Sequence, residues 1–311
     1  KARGGHTMTL VERNIIVCGG QQHTTGDKFE YFPLDPYVLD TETLSWSKPR
    51  VALGKGPTPR SWHTTTQVDE FLIVFGGRGQ KTPTAKYIFN DLPCFDLTQM
   101  TWEMREAKGR LPAARYWHSA ALVDRKLLIW GGHNGKVSLS DLHVLDVDAT
   151  VWSQPRVSEL RPPPLACHTC QVLDGQLYVF GGMHVRLDDA GHTQLTYSND
   201  VWSLDSLTMK WERLRQRGVA ADGCAYHAAE LTAAGQLLVV GGWRGELAPS
   251  DELAALDMTT GIWHRIRVPG EAPAGMYGHR TVLVSSKIVV FGGWDGINPL
   301  NIVHVLDTAK L

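Results

Sequence analysis

Three sets of residues in this chain have the types and spacing to carry chemistry. The first is a histidine at one place in each of six repeats: His6, His63, His118, His168, His227 and His279. Imidazoles titrate near neutral pH, bind metals and move protons. The second is the run His184, Asp188 and His192, ligand types that suit iron or zinc, spaced four apart. The third is the C-x-x-C pair in Cys167-His-Thr-Cys170. The repeat histidines read as structural, hydrogen-bonded between strands. The cysteine pair lacks the second pair of ligands that zinc normally needs, and residues three apart on a strand point to opposite faces. No nucleophile–base pair stands out, so no catalytic residue and no cofactor is expected.

A different chemistry is offered by arginines and aromatics. Arg60-Ser61-Trp62 and Arg115-Tyr116-Trp117 each lead directly into a repeat histidine. Arg78, His133, Trp243 and Trp294 each follow a Gly-Gly pair, Arg244 stands one residue further on, and Arg186 lies in the fourth such loop. Arginine presents a planar fork that fits a carboxylate, and tryptophan is enriched where binding energy concentrates. Carboxylates on the same loops are fewer, mainly Asp188, Asp189, Glu246 and Asp295. This pattern suits an acidic peptide or a free C-terminal carboxylate.

The elements that must position these residues follow from the repeat. Gly-Gly pairs begin at 19, 76, 131, 181, 241 and 292, each closing an apolar run. The repeat histidine stands 13 residues before the pair in five units and 14 before in the fifth, where His227 precedes Gly241. An Asp and a Trp six residues apart follow at 40/46, 96/102, 146/152, 205/211 and 257/263. Repeats of 50 to 60 residues signal a closed or stacked architecture. Each unit reads as four short strands; in the second these are 63–68, 71–75, 91–95 and 101–104. The long segments Gln21 to Pro36, Arg78 to Asn90 and Met183 to Asn199 read as loops on one face, where function usually sits.

Apolar-run-Gly-Gly, Asp-x5-Trp and Pro-x-x-Arg-x-x-His together resemble the kelch repeat, over the whole chain. The resemblance implies an all-β, six-bladed propeller of four antiparallel strands per blade, in a single domain spanning 1–311. The blades fall at about 5–50, 61–106, 116–156, 166–215, 225–267 and 277–311. The last Asp is Asp307, so its Trp would fall at 313, beyond Leu311. The sixth blade's outer strand is therefore expected to be missing here and to come from a segment outside this sequence, which protects its edge. The repeats are similar to those of host cell factor and of kelch-domain substrate receptors of cullin-RING ligases. That similarity implies a protein-interaction module with its peptide site on Arg60, Ser61, Trp62, Arg78, Arg115, Tyr116, Trp117, His133, Trp243 and Trp294. Leu165, Cys224 and Met276 replace the arginine in the last three units, which predicts a pocket charged mainly on the side of blades one to three. The alternative is a metal-dependent kelch enzyme. His184/Asp188/His192 resembles the iron-holding Glu-x3-Asp-x3-His run of plant specifier proteins, with His in place of Glu.

Composition narrows the classes. A net charge of -1 gives no nucleic-acid signature, and no apolar run approaches the ~20 residues of a membrane span. Five cysteines, an odd number without a paired framework, point to a reducing compartment, cytoplasm or nucleus.

Overall fold

The computed structural model describes residues 1–24, 28–52, 56–80, 82, 85–218, 223–245, 248–268 and 273–310. Among them, six antiparallel sheets follow one another in chain order, and they are the six repeats. The inner strands are Thr7–Val11, Thr64–Val68, Ser119–Val123, Thr169–Leu173, Ala228–Leu231 and Arg280–Val284. Each touches the next, and the first touches the last, so the ring is closed around a central channel. The strands that precede the Gly pairs, such as Phe71–Phe75, are buried on both faces, which is why they read as unbroken apolar runs.

The repeat residues have specific jobs. Each Asp of the Asp-x5-Trp step caps its own turn; Asp96 Oδ1 accepts from the N–H groups of Thr98 and Gln99 at 2.8 and 2.7 Å. The tryptophans pack between blades: Trp152 lies 5.3 Å from Phe75, Trp211 5.5 Å from Trp130 and Trp263 5.3 Å from Phe180. Trp46 closes the circle on Phe291 of the sixth blade at 4.9 Å. Gly76, at φ 66°, shows why the Gly pairs are needed. A Cβ there would stand 2.6 Å from the Arg115 carbonyl and 2.7 Å from the His118 ring of the next blade.

The sixth sheet has three strands, Arg280–Val284, Lys287–Phe291 and Val303–Asp307, among the described residues. A 3-10 turn at Thr308–Lys310 follows, and Leu311 lies outside the described residues. The three long segments are not plain loops. Gln21–His23 pairs with Phe29–Tyr31, Arg78–Gln80 with Lys86–Ile88, and Met183–Leu187 with Thr193–Tyr197. No helix among the described residues is long and apolar enough to cross a membrane.

Candidate functional site

The residue before each repeat histidine lies at the neck of the channel. All six adopt left-handed backbone: Gly5, Trp62, Trp117, Cys167, Tyr226 and Gly278, with φ between 57° and 67°. Their peptides form a closed ring of hydrogen bonds. Gly5 N donates to Gly278 O, Gly278 to Tyr226, Tyr226 to Cys167, Cys167 to Trp117, Trp117 to Trp62 and Trp62 back to Gly5, at 2.6 to 3.2 Å. Four of these six are not glycine. Such strain costs on the order of 1–3 kcal/mol per residue and persists where the surroundings over-determine it. Here the ring itself supplies that constraint.

The strain aims side chains at the channel mouth. Where the ring has Gly5 and Gly278, neighbouring indoles fill the space: a Cβ on Gly278 would lie 2.8 Å from both Trp62 and Trp294. Trp62 stacks on Trp294 at 5.8 Å, and Trp294 on Tyr277 at 5.6 Å. Trp117 and Tyr226 meet edge to face at 5.3 Å, and Trp243 lies 5.3 Å from Tyr277. The result is an aromatic floor under an open basin of about 250 Å³.

Arg78 stands at the side of this basin. Its guanidinium lies 5.3 Å from the Tyr116 ring, 5.5 Å from Trp117 and 5.6 Å from Phe29, a cation held by aromatic faces. No carboxylate among the described residues pairs with it. Its Nε finds no acceptor, and neither do the indole Nε1 atoms of Trp62, Trp117 and Trp294. Burial, with Arg78's charge beside it, lowers the His133 pKa, so that ring is neutral; its Nδ1 accepts from Gly135 N at 3.0 Å. Burial raises the Tyr116 phenol, which Arg78 opposes. The basin thus presents aromatic surface and one fixed positive charge.

The other expected site residues divide clearly. Trp62, Trp117, Trp243, Trp294 and Arg78 line the basin. Tyr116 and His133 are buried behind it and meet at 5.3 Å. Arg60, Ser61 and Arg115 are 0% exposed, so direct partner contact is closed to them. Arg60 pairs with Asp91, and Arg115 grips Asp141 through two bonds of 2.7 and 2.8 Å; each also donates to the first glycine carbonyl of its own Gly pair. These arginines staple the blade, and the buried Leu165, Cys224 and Met276 take the same place in apolar form. Arg244 is committed to Glu252. Arg186 is exposed on its hairpin and does not line the basin. Glu246 lies outside the described residues. Missing from the expected set are Gln21, His23, Phe29, Tyr226 and Tyr277. The signal for Tyr226 was available: it holds the same place before a histidine as Trp62 and Trp117.

The metal-ligand run does not converge. His184 is inside the strand Met183–Leu187, and four residues of extended chain carry Asp188 about 13 Å further on. Asp188 Oδ1 instead caps the hairpin turn, accepting from Ala190 N and His192 N. No group of three metal-ligating side chains occurs among the described residues. Cys167 and Cys170 are free, and burial raises both thiols, Cys170 to about 12, so neither is a thiolate near neutral pH. The repeat histidines are structural. His118 Nε2 pairs with Thr64 Oγ1 at 3.0 Å, His168 with Ser119 Oγ at 2.8 Å and His227 with Thr169 Oγ1 at 2.9 Å, each reaching the preceding blade.

Comparison with known proteins agrees with this architecture. The model of the KLHDC2/KLHL20/DRC7 Kelch-repeats domain matches residues 5–189 and 62–293. The serine/threonine-protein phosphatase BSL2 of Arabidopsis thaliana is 30% identical over 88% of this chain and 22% of its own length. The acyl-CoA-binding domain-containing protein 4 of the same plant is 28% identical over 100% of this chain and 38% of its own. Host cell factor 1 of Rattus norvegicus is 35% identical over 32% of this chain and 6% of its own. The chain therefore spans well under half the length of these relatives. The solved structure of YjhT superposes with a TM-score of 0.74 over 98% of this chain and 95% of its own, at 16% identity. At that identity the likeness speaks for the fold alone.

Proposed function

The chain belongs to the KLHDC2/KLHL20/DRC7 kelch-repeat family, and from that premise we propose that its partner is a protein or peptide docking on the aromatic basin at the channel mouth. The observation that carries this reading is Arg78, a half-buried guanidinium lining an aromatic basin with no carboxylate paired to it among the described residues. A carboxylate supplies the missing negative charge. An acidic side chain or a C-terminal carboxylate would sit against Arg78, with an apolar neighbour on the Trp294–Tyr277 stack. The protein acts in this reading by binding, with no cofactor and no nucleic-acid or membrane partner, and its compartment is cytoplasmic or nuclear. Recruitment of the bound protein to a ubiquitin ligase is the role that the resemblance to kelch substrate receptors implies.

A peptide-library pull-down with free and amidated C-termini tests this. Arg78→Ala is expected to weaken the selected peptides by roughly 10–100-fold, the value of a hydrogen-bonded charge. Arg186→Ala, outside the basin, is expected to leave binding unchanged. Equal binding by wild type and Arg78→Ala would move the partner site elsewhere. If only acidic internal sequences are selected and amidation makes no difference, the C-terminal form of the reading fails.

A further inference from the structure

Below the aromatic floor the channel continues between the inner strands. One position on each inner strand follows its repeat histidine: Thr7, Thr64, Ser119, Thr169, Ala228 and Arg280. The hydroxyls at the first four accept or donate to the histidine of the next blade. Ala228 has no hydroxyl to offer, and Arg280 departs further. It puts a guanidinium where a small hydroxyl belongs, and both ring nitrogens of His6, the histidine that would have used that hydroxyl, are left without partners.

Arg280 is itself under-committed. Its Nε donates to His6 O at 3.2 Å. Among the described residues its two Nη groups have no acceptor, and no carboxylate forms an ion pair with it. The carboxyl on this part of the channel is Glu230, which accepts from Thr281 Oγ1 at 2.7 Å and which burial pushes up to about 7. After burial itself, the Arg280 charge is among the influences that lower the pKa values of His6, His63, His118, His227 and His279, so it is felt around the ring. Arg280 is half-buried and also lines the wider channel of about 210 Å³, so water can reach the guanidinium there while no fixed counter-charge does. Directly between Arg280 and the floor made by Trp62, Trp117 and Tyr226 lies a space of about 20 Å³. That is room for one water-sized species and no more.

We infer that this space is an anion site, in which Arg280 holds a small monatomic anion, a halide, beneath the aromatic neck. The site is separate from the basin and does not rest on the partner reading. The closed hydrogen-bonded ring and the indoles above favour a free ion over a partner's side chain.

Chloride-35 line broadening on the purified protein tests this, at constant ionic strength with sodium gluconate, an anion too large for the space, as the balancing salt. Wild type is expected to broaden the signal saturably, with formate, too large for the space, failing to compete. Arg280→Thr, which restores the repeat hydroxyl, is expected to weaken binding about tenfold or more, while Arg280→Lys retains it. Arg78→Ala is expected to leave the signal unchanged, which separates this site from the basin. The inference is overturned if wild type shows no saturable broadening, or if Arg280→Thr, folded by circular dichroism, broadens chloride as wild type does. It is also overturned if small anions do not bind and Arg280→Thr instead weakens a carboxylate peptide, since the partner would then supply the charge.

Discussion

The segment His-Val-Leu-Asp occurs twice in this chain, at 143–146 in the third blade and at 304–307 in the sixth. Both copies are the third strand of their sheet, in the same register against the strand before. In the third blade a fourth strand, Val151–Ser153, covers the outer edge, and a parallel pair from Lys108–Gly109 covers that in turn. Val144 is 5% exposed and His143 is buried, bonded to Asp141 at 2.9 Å and to the Arg110 carbonyl at 3.2 Å. In the sixth blade no fourth strand is present among the described residues, and Val305 is 43% exposed. Identical side chains thus have different surroundings because of what pairs beside them. Burial is a property of the ring position, and the local sequence does not determine it.

Acid is the perturbation that should treat the two blades alike, because the buried histidines run all the way round. His168, His227 and His279 are held at about 3 by burial first. Their folded values lie below the ordinary 6.5, so the unfolded chain takes up protons first as the pH falls. Their contribution is intact above pH 6.5 and is lost progressively toward pH 3. One unit below 6.5, each costs ~1.4 kcal/mol. Urea midpoints measured from pH 7.5 to 5 are expected to fall steeply below pH 6.5; a flat profile would mean that these histidines are not buried neutral.

Lysine at the equivalent valines should separate the blades most sharply. Val144→Lys buries an unpaired charge and is expected to cost about 4 kcal/mol or more. Val305→Lys places the same charge at an open edge and is expected to stay within about 0.5 kcal/mol. Equal losses would show that something covers the sixth blade's edge in solution.

The two blades also solve the same packing problem differently ahead of their histidines. The third uses Arg115, the sixth Met276, and both are buried. Burial raises the Asp141 pKa, but the hydrogen bonds from Arg115 and His143 outweigh it and hold the carboxyl below the usual range. Arg115→Met alone leaves Asp141 without its main partner and is expected to cost about 3 kcal/mol. Arg115→Met with Asp141→Asn removes the charge as well and is expected to recover much of that loss. If the double variant is no more stable than the single one, the carboxylate is not what makes the staple necessary.

The sequence made the fold legible because six copies agreed on the Gly pair and the histidine and five on the Asp-x5-Trp step, and each proves to be a contact between strands or blades. The site was legible in part. Trp62, Trp117, Trp243, Trp294 and Arg78 stood out because they break the repeat beside residues that keep it. Arg60 and Arg115 were misleading, since an arginine three residues before a histidine gives no sign that Asp91 or Asp141, 31 and 26 residues further on, will take it inward. The hydrogen-bonded ring was hidden for a similar reason. It is made by backbone, and its members Gly5, Trp62, Trp117, Cys167, Tyr226 and Gly278 share no side-chain chemistry. Arg280 was hidden because it stands at the place after a repeat histidine, which small Thr, Ser and Ala fill in the other five units.

The smallest difference between the two halves of the ring can be exchanged by single hydroxyls. Ser119 serves His168 at 2.8 Å, whereas Ala228 stands where His279 would find its partner, and both His279 nitrogens lack one. Ser119→Ala orphans a buried ring nitrogen and is expected to cost about 1 kcal/mol. Ala228→Ser offers the missing partner at a site already 3% exposed, and is expected to return a similar amount, read as a higher urea midpoint at pH 7.5 with unchanged slope. The pair is informative together. If Ser119→Ala destabilises while Ala228→Ser does nothing, then His279 is already satisfied by another group, and the sixth blade's histidine is held differently from the fourth's.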